Sequence, residues 1–143
     1  MNIQQITVFL ENRTGQLSEI TQLLANENID IRAISIAETS DYGLARMIVN
    51  DAPKASSILL QHGDILSMTP VWAVEVPDRP AGLSELLTVL AQNNIAVEYM
   101  YSLFTHRNDF AYMVMRVDDD AKFLSVLGQN QIKIMSMEEL DLM

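Results

Sequence analysis

The chain has 143 residues, 49% hydrophobic and 20% charged, an ordinary globular profile. Its net charge of −10 argues against nucleic acid, whose affinity comes from Lys and Arg on phosphates, and against anionic membrane surfaces. With no Cys, disulfides, thiolate metal sites and cysteine nucleophiles are excluded; no apolar run approaches the roughly 18 residues of a membrane span, the N-terminus lacks a signal-peptide layout, and a cytoplasmic location is expected.

In chain order, Ile3–Leu10 is rich in Ile, Val, Thr and Phe and predicts a strand. Asn12-Arg13-Thr14-Gly15 is a turn, and Leu17, Ile20, Leu23 and Leu24 at helical spacing predict an amphipathic helix to about Glu27. Ile29–Glu38 is a second strand whose apolar parity slips between 31 and 34, which a bulge near Arg32-Ala33 or burial of both faces would explain. A hairpin turn over 39–43 leads to a strand over Leu44–Asn50. Asp51 as N-cap, with Pro53 in the first turn, starts a helix carrying Ala55, Ile58 and Leu59 and ending at His62-Gly63. Ile65–Met68 is a fourth strand. The order then repeats: strand Val71–Val76, turn Asp78–Gly82, helix from about Leu83 to Asn93, strand Ile95–Phe104, hairpin Thr105–Asp109, strand Ala111–Val117, helix from about Asp119 to Gly128, strand Ile132–Met137.

This is an internal duplication. Between Leu17/Leu83 and Ile31/Val97, at an offset of 66, seven of fifteen positions are identical; past the longer second hairpin the offset becomes 68. The boundaries are 1–68 and 69–143. Each unit follows the β-α-β-β-α-β plan of a ferredoxin-like α+β domain, with two helices on one face of a four-stranded antiparallel sheet ordered 4-1-3-2. The second strand of each unit is then a long apolar edge, which natural sheets pair or blunt. The expectation is that the two second strands pair, placing the units side by side in one eight-stranded antiparallel sheet.

Each repeated turn ends on a helix N-terminus, where backbone N–H groups and the positive dipole end favour an anion. Asn12 and Asp78 put an acceptor beside those donors, as the carboxylate and ammonium of an α-amino acid require. The alternative is that both residues simply cap their turns.

At these residues the chain resembles a pair of ACT domains, small amino-acid-sensing regulatory modules. Asp78-Arg79-Pro80-Ala81-Gly82-Leu83 resembles the family's Asn/Asp-x-Pro-Gly-x-Leu turn with one residue inserted before Gly, and Asn12-Arg13-Thr14-Gly15-Gln16-Leu17 has Thr for Pro. The resemblance implies a free amino acid bound at the interface of two domains. The first turn (Asn12, Arg13, Thr14, Gly15, Gln16, Leu17) would face Tyr99, Tyr101 and Ser102. The second (Asp78, Ala81, Gly82, Leu83) would face Ala33 to Glu38. It also implies a stand-alone tandem of the glycine-cleavage-repressor-like kind, with no attached catalytic domain. Such a chain needs no cofactor, is a homo-oligomer (a dimer), and passes its signal to a partner enzyme or regulator or simply binds its ligand.

Other residues point to structure. His62 and His106, without Cys, make no metal site. Asp118-Asp119-Asp120 aligns with Asn50-Asp51-Ala52 at a helix start and reads as capping. Met113, Met115, Met135 and Met137 alternate as packed strand residues do, and Trp72 reads as core. Tyr99 and Tyr101 are either interface packing or a ligand wall. No phosphate-loop, dinucleotide or nucleophile-elbow motif occurs. The chain therefore reads as a non-enzymatic sensor; the alternatives are an interaction module without ligand and a small ferredoxin-like enzyme.

Overall fold

A computed structural model describes residues 2–11, 13–38 and 41–142. Asn12 and the hairpin residues Thr39 and Ser40 lie outside them. Among the described residues the chain forms six strands in antiparallel pairing and four helices: β1 (Ile3–Leu10), α1 (Gln16–Asn26), β2 (Ile31–Glu38), β3 (Gly43–Val49), α2 (Ala52–Gln61), β4 (Leu66–Pro77), α3 (Gly82–Gln92), β5 (Val97–Ser102), β6 (Phe110–Val117) and α4 (Asp120–Gln129). It divides into two compact units, one built mainly on Gln4–Pro70 and the other mainly on Val71–Leu140.

In the N-terminal unit β3 lies between β1 and β2. Phe9 N–H donates to Ile65 O at 2.8 Å, so the chain entering β4 runs along the other side of β1. In the C-terminal unit β6 lies between β4 and β5. There Glu75 N–H donates to Lys133 O and Met135 N–H to Ala73 O, at 3.0 and 2.8 Å, bringing the last segment beside β4. Both units thus have the order fourth, first, third, second.

The cores correspond residue by residue. Ile6, Val8, Leu10, Ile20, Leu24, Met47, Val49, Ala55 and Leu59 cluster in the first unit. Trp72, Val74, Val76, Leu86, Leu90, Met115, Val117, Phe123 and Leu127 occupy the equivalent places in the second. Where the first unit has Ile6 and Ala55, the second has Trp72 and Phe123, with ring centroids 6.2 Å apart. Trp72 Nε1–H donates to Asp120 Oδ1 at 2.8 Å. The aspartate run is structural throughout: Asp118 Oδ1 accepts from Ala96 N–H as Asn50 Oδ1 accepts from Asp30 N–H, and Asp119 caps α4 through Lys122 N–H as Asp51 caps α2 through Lys54 N–H.

The register of β2 shifts between Ile31 and Ala33, where the parity slip places a bulge, and β5 shifts at the equivalent Val97 and Tyr99. Both strands start two residues later than expected. Ile29 and Ile95 still belong to the preceding helix exits: their N–H groups bond Leu24 O and Leu90 O, past Asn28 and Asn94 at φ 59 and 58°.

Three expectations are corrected. The eight-stranded sheet is not formed: among the described residues there are six strands, with β2 paired to β3 and β5 paired to β6. The expected fourth strand of the first unit and first strand of the second are one continuous strand, the twelve-residue β4, which stays extended through Pro70 because the proline φ is compatible with extended backbone. The expected final strand contributes a single bridge, Ile134 to Val74. Beyond it Ser136 N–H donates to Glu139 Oε1 and Glu139 N–H to Ser136 Oγ, at 3.0 and 3.1 Å, a reciprocal capping box that turns the chain away.

Candidate functional site

The two turns are built alike. Gly15, at φ 90°, is the N-cap of α1, and Ala81, at φ 70°, is the N-cap of α3; neither helix start has a side-chain cap. The first-turn N–H groups are therefore left without a side-chain acceptor, although in α3 Gly82 N–H donates to Arg79 O at 3.0 Å. Each turn is braced from outside by an arginine. Arg13 bonds both carboxylate oxygens of Glu19 at 3.2 and 2.8 Å, and Arg79 bonds both of Glu85 at 3.3 and 2.9 Å. The hydrogen bond from Arg13 is the main cause holding the Glu19 carboxyl below its ordinary value, and the same bond raises Arg13. In the second turn Asp78 N–H donates to Asp109 O at 2.7 Å, tying it to the hairpin before β6.

Among the differences between the two copies is one paired exchange. In the first, Gln16 is buried and its Oε1 accepts Glu11 N–H at 2.7 Å. In the second the equivalent residues are Gly82 and Pro77. Proline has no N–H, so no acceptor is needed, and Gly82 closes onto it: a Cβ on Gly82 would lie 2.0 Å from Pro77 O. The left-handed residue of the second turn is Ala81, and Gly82 serves close approach.

A cavity lies at this place in both units. In the C-terminal unit it measures about 300 Å³, walled by Val76, Leu86, Val89, Phe110 and Ile132 with Glu75, Glu85 and Gln131 among its lining residues. In the N-terminal unit it measures about 140 Å³ and is lined by Arg13, Gln16, His62 and Asp64 among others. There His62 Nδ1 and Asp64 Oδ2 are 2.9 Å apart. A second hollow in the C-terminal unit is lined by Asp78, Arg79 and Asp109 and shares Pro77 and Phe110 with the first.

Of the expected ligand contacts, Arg13, Thr14, Gly15, Gln16 and Leu17 come together at the first turn, and Asp78, Ala81, Gly82 and Leu83 at the second. Asn12 is outside the described residues. Glu38 stands opposite Gly43, which also faces Leu10, so it shares the first turn's end of its sheet with β3 intervening. Tyr99, Tyr101 and Ser102 lie on β5, and β6 separates them from β4 by roughly 10 Å of sheet. The two tyrosine rings stack with centroids 6.5 Å apart, and Tyr101 is buried. Glu75, Val89, Phe110 and Gln131 went unrecognised. Aligning Gly63 with Gln131 across the repeat would have flagged the last, since both hold positive φ, 95 and 56°. Among the described residues no three His, Asp or Glu side chains group as a metal site, and no helix is long and apolar enough to cross a membrane.

The fold and the paired turns define a tandem of two βαββαβ modules, each with an uncapped helix behind a polar turn. The model of the ACT domain pair matches residues 1–143, and the chain belongs to that family. A crystallised protein from Bacteroides thetaiotaomicron is 34% identical, covering 99% of this chain and 96% of its own, with a TM-score of 0.90. The regulatory subunit of aspartate kinase from Thermus thermophilus, in a ligand-free form, shares the fold at 14% identity and a TM-score of 0.64, covering 88% of this chain and 90% of its own. That from Thermus flavus shares it at 16% and 0.61, covering 90% and 92%. No curated protein matches the chain.

Proposed function

We propose that the chain is a non-catalytic regulatory sensor that binds a free amino acid at its helix-start turns, as two ACT-like domains spanning 1–68 and 69–143. One observation carries the reading: the second turn offers uncapped α3 N–H donors beside the exposed carboxylate of Asp78. Carboxylate-seeking donors next to an ammonium-seeking acceptor match the two charges of a zwitterion. Membership of the ACT domain pair family and the fold shared with aspartate kinase regulatory subunits support a regulatory rather than a catalytic role. Ligand release near cellular concentrations then requires micromolar to millimolar affinity, about −8 to −4 kcal/mol. The signal passes to a partner enzyme or regulator. A homodimer is consistent with the one-sided pairing of β2 and β5, edges that sheets ordinarily cover.

Calorimetry of the full chain against the twenty amino acids tests this. Binding of at least one, lost in Asp78→Ala with unfolding unchanged, supports it. Absence of heat and of thermal shift with all twenty overturns it.

A further inference from the structure

The two units hold equivalent cavities of opposite character, and the exchange of Gln16 for Gly82 is one of the side-chain differences that separate them. In the N-terminal unit Gln16 is buried and reaches back to Glu11 N–H, filling the space between helix start and strand end. In the C-terminal unit the equivalent residue is Gly82, which lies against the Pro77 backbone and sends no side chain into the neighbouring cavity. The cavity grows from about 140 to about 300 Å³, and its wall changes from Arg13, His62 and Asp64 to Val76, Leu86, Val89 and Ile132. About 300 Å³ is the lower end of small-ligand pockets, room for a compact side chain.

The backbone around this cavity is strained where its twin is not. Ala81 and Gln131 hold φ of 70 and 56°, and the equivalent positions of the other unit are Gly15 and Gly63. A residue with a Cβ in the left-handed region is strained, and such positions concentrate at ligand clamps. Both flank the larger cavity: Gln131 lines it and Ala81 adjoins Gly82.

We propose that the cavity of the C-terminal unit is a side-chain pocket, and that the ligand is a neutral amino acid with a branched aliphatic side chain seated among Val76, Leu86, Val89 and Ile132. This rests on the amino-acid reading above. The charged groups select against alternatives. Glu75 and Glu85 line the cavity and no basic residue does, so an acidic side chain is repelled. Asp78, Arg79 and Asp109 line the adjoining hollow, where a zwitterionic head finds charges of both signs.

The test is calorimetry of the full chain with glycine, alanine, valine, leucine and glutamate. Each buried methylene tightens binding about fourfold, so leucine should bind at least about tenfold tighter than alanine, and glutamate at least about tenfold weaker than leucine. Val89→Trp fills the pocket from α3 without touching the turn. It should weaken leucine at least about tenfold and alanine less than about threefold. Affinity that is flat or falls from alanine to leucine, tightest binding of glutamate, or leucine affinity unchanged in a folded Val89→Trp overturns the pocket and leaves the amino-acid reading standing. Binding of no amino acid at all by the unmodified chain overturns both.

Discussion

Gly82→Ala gives a direct test of the paired exchange between the repeats. The added Cβ would lie 2.0 Å from Pro77 O and 3.1 Å from Pro77 C, whereas real Cβ contacts essentially never fall under 3.0 Å. Roughly 1 Å of movement is therefore needed, and both sides are backbone, with no flexible side chain to yield. Pro77 is held in register with Phe110 and accepts Arg79 N–H; Gly82 N–H is fixed to Arg79 O, and Leu86 one turn on is buried. Forced displacement of this kind costs about 2–3 kcal/mol, offset by about 0.5–1 kcal/mol from replacing a helical glycine. The net is a loss of about 2 kcal/mol, or roughly 5 °C in Tm for a chain of this size. Gly128→Ala is the control. Nothing lies within 4 Å of its Cβ position, and it should gain about 0.5–1 kcal/mol. Urea unfolding of the three proteins decides the matter. If Gly82→Ala falls within about 0.5 kcal/mol of the unmodified chain, the close approach is not what selects glycine there.

Ala81→Gly relieves a left-handed alanine at φ 70° and should stabilise by up to about 1 kcal/mol in the same assay. Glu139 has its carboxyl held at about 2, from an ordinary 4.5, chiefly by the hydrogen bond from Lys133 and next by Ser136 N–H. A carboxyl whose folded value is depressed contributes stability that is complete above its unfolded value and lost as pH falls through the folded one. An acid arm of stability between about pH 4.5 and 2 is therefore expected, diminished in Glu139→Gln, with the carboxyl titrating near 2 by NMR. Trp72→Phe removes the indole bond to Asp120 and should cost about 1.5 kcal/mol, at the low end for a bond to a charged group because exposed Asp120 is resolvated. A tryptophan-free chain as stable as the original by circular dichroism during urea unfolding would show that bond contributes nothing.

Much of the fold is local and so was readable in one dimension. Strand β1 occupies Ile3–Leu10, as its β-branched run requires, and Asp51 and Asp119 cap α2 and α4. The bulge in β2 was visible because a slipped parity can be satisfied only by an extra residue or by burial of both faces. The eight-stranded sheet failed for the opposite reason. An unblunted edge says that a strand can accept a partner, and nothing in the residues of β2 or β5 says which partner it takes.

The repeat by itself determined the family plan, the two turns and their place at helix starts. These follow from periodicity and turn chemistry, which act over a few residues. Tertiary structure alone decided what each turn adjoins. The same offset aligns Gln16 with Gly82 and Glu11 with Pro77, but only packing reveals that one pair meets through a buried side chain and the other by bringing backbone against backbone. Cavity volume arises from atoms distant in sequence meeting in space. For that reason Glu75, Val89, Phe110 and Gln131, unremarkable along the chain, become the walls that set the two units apart.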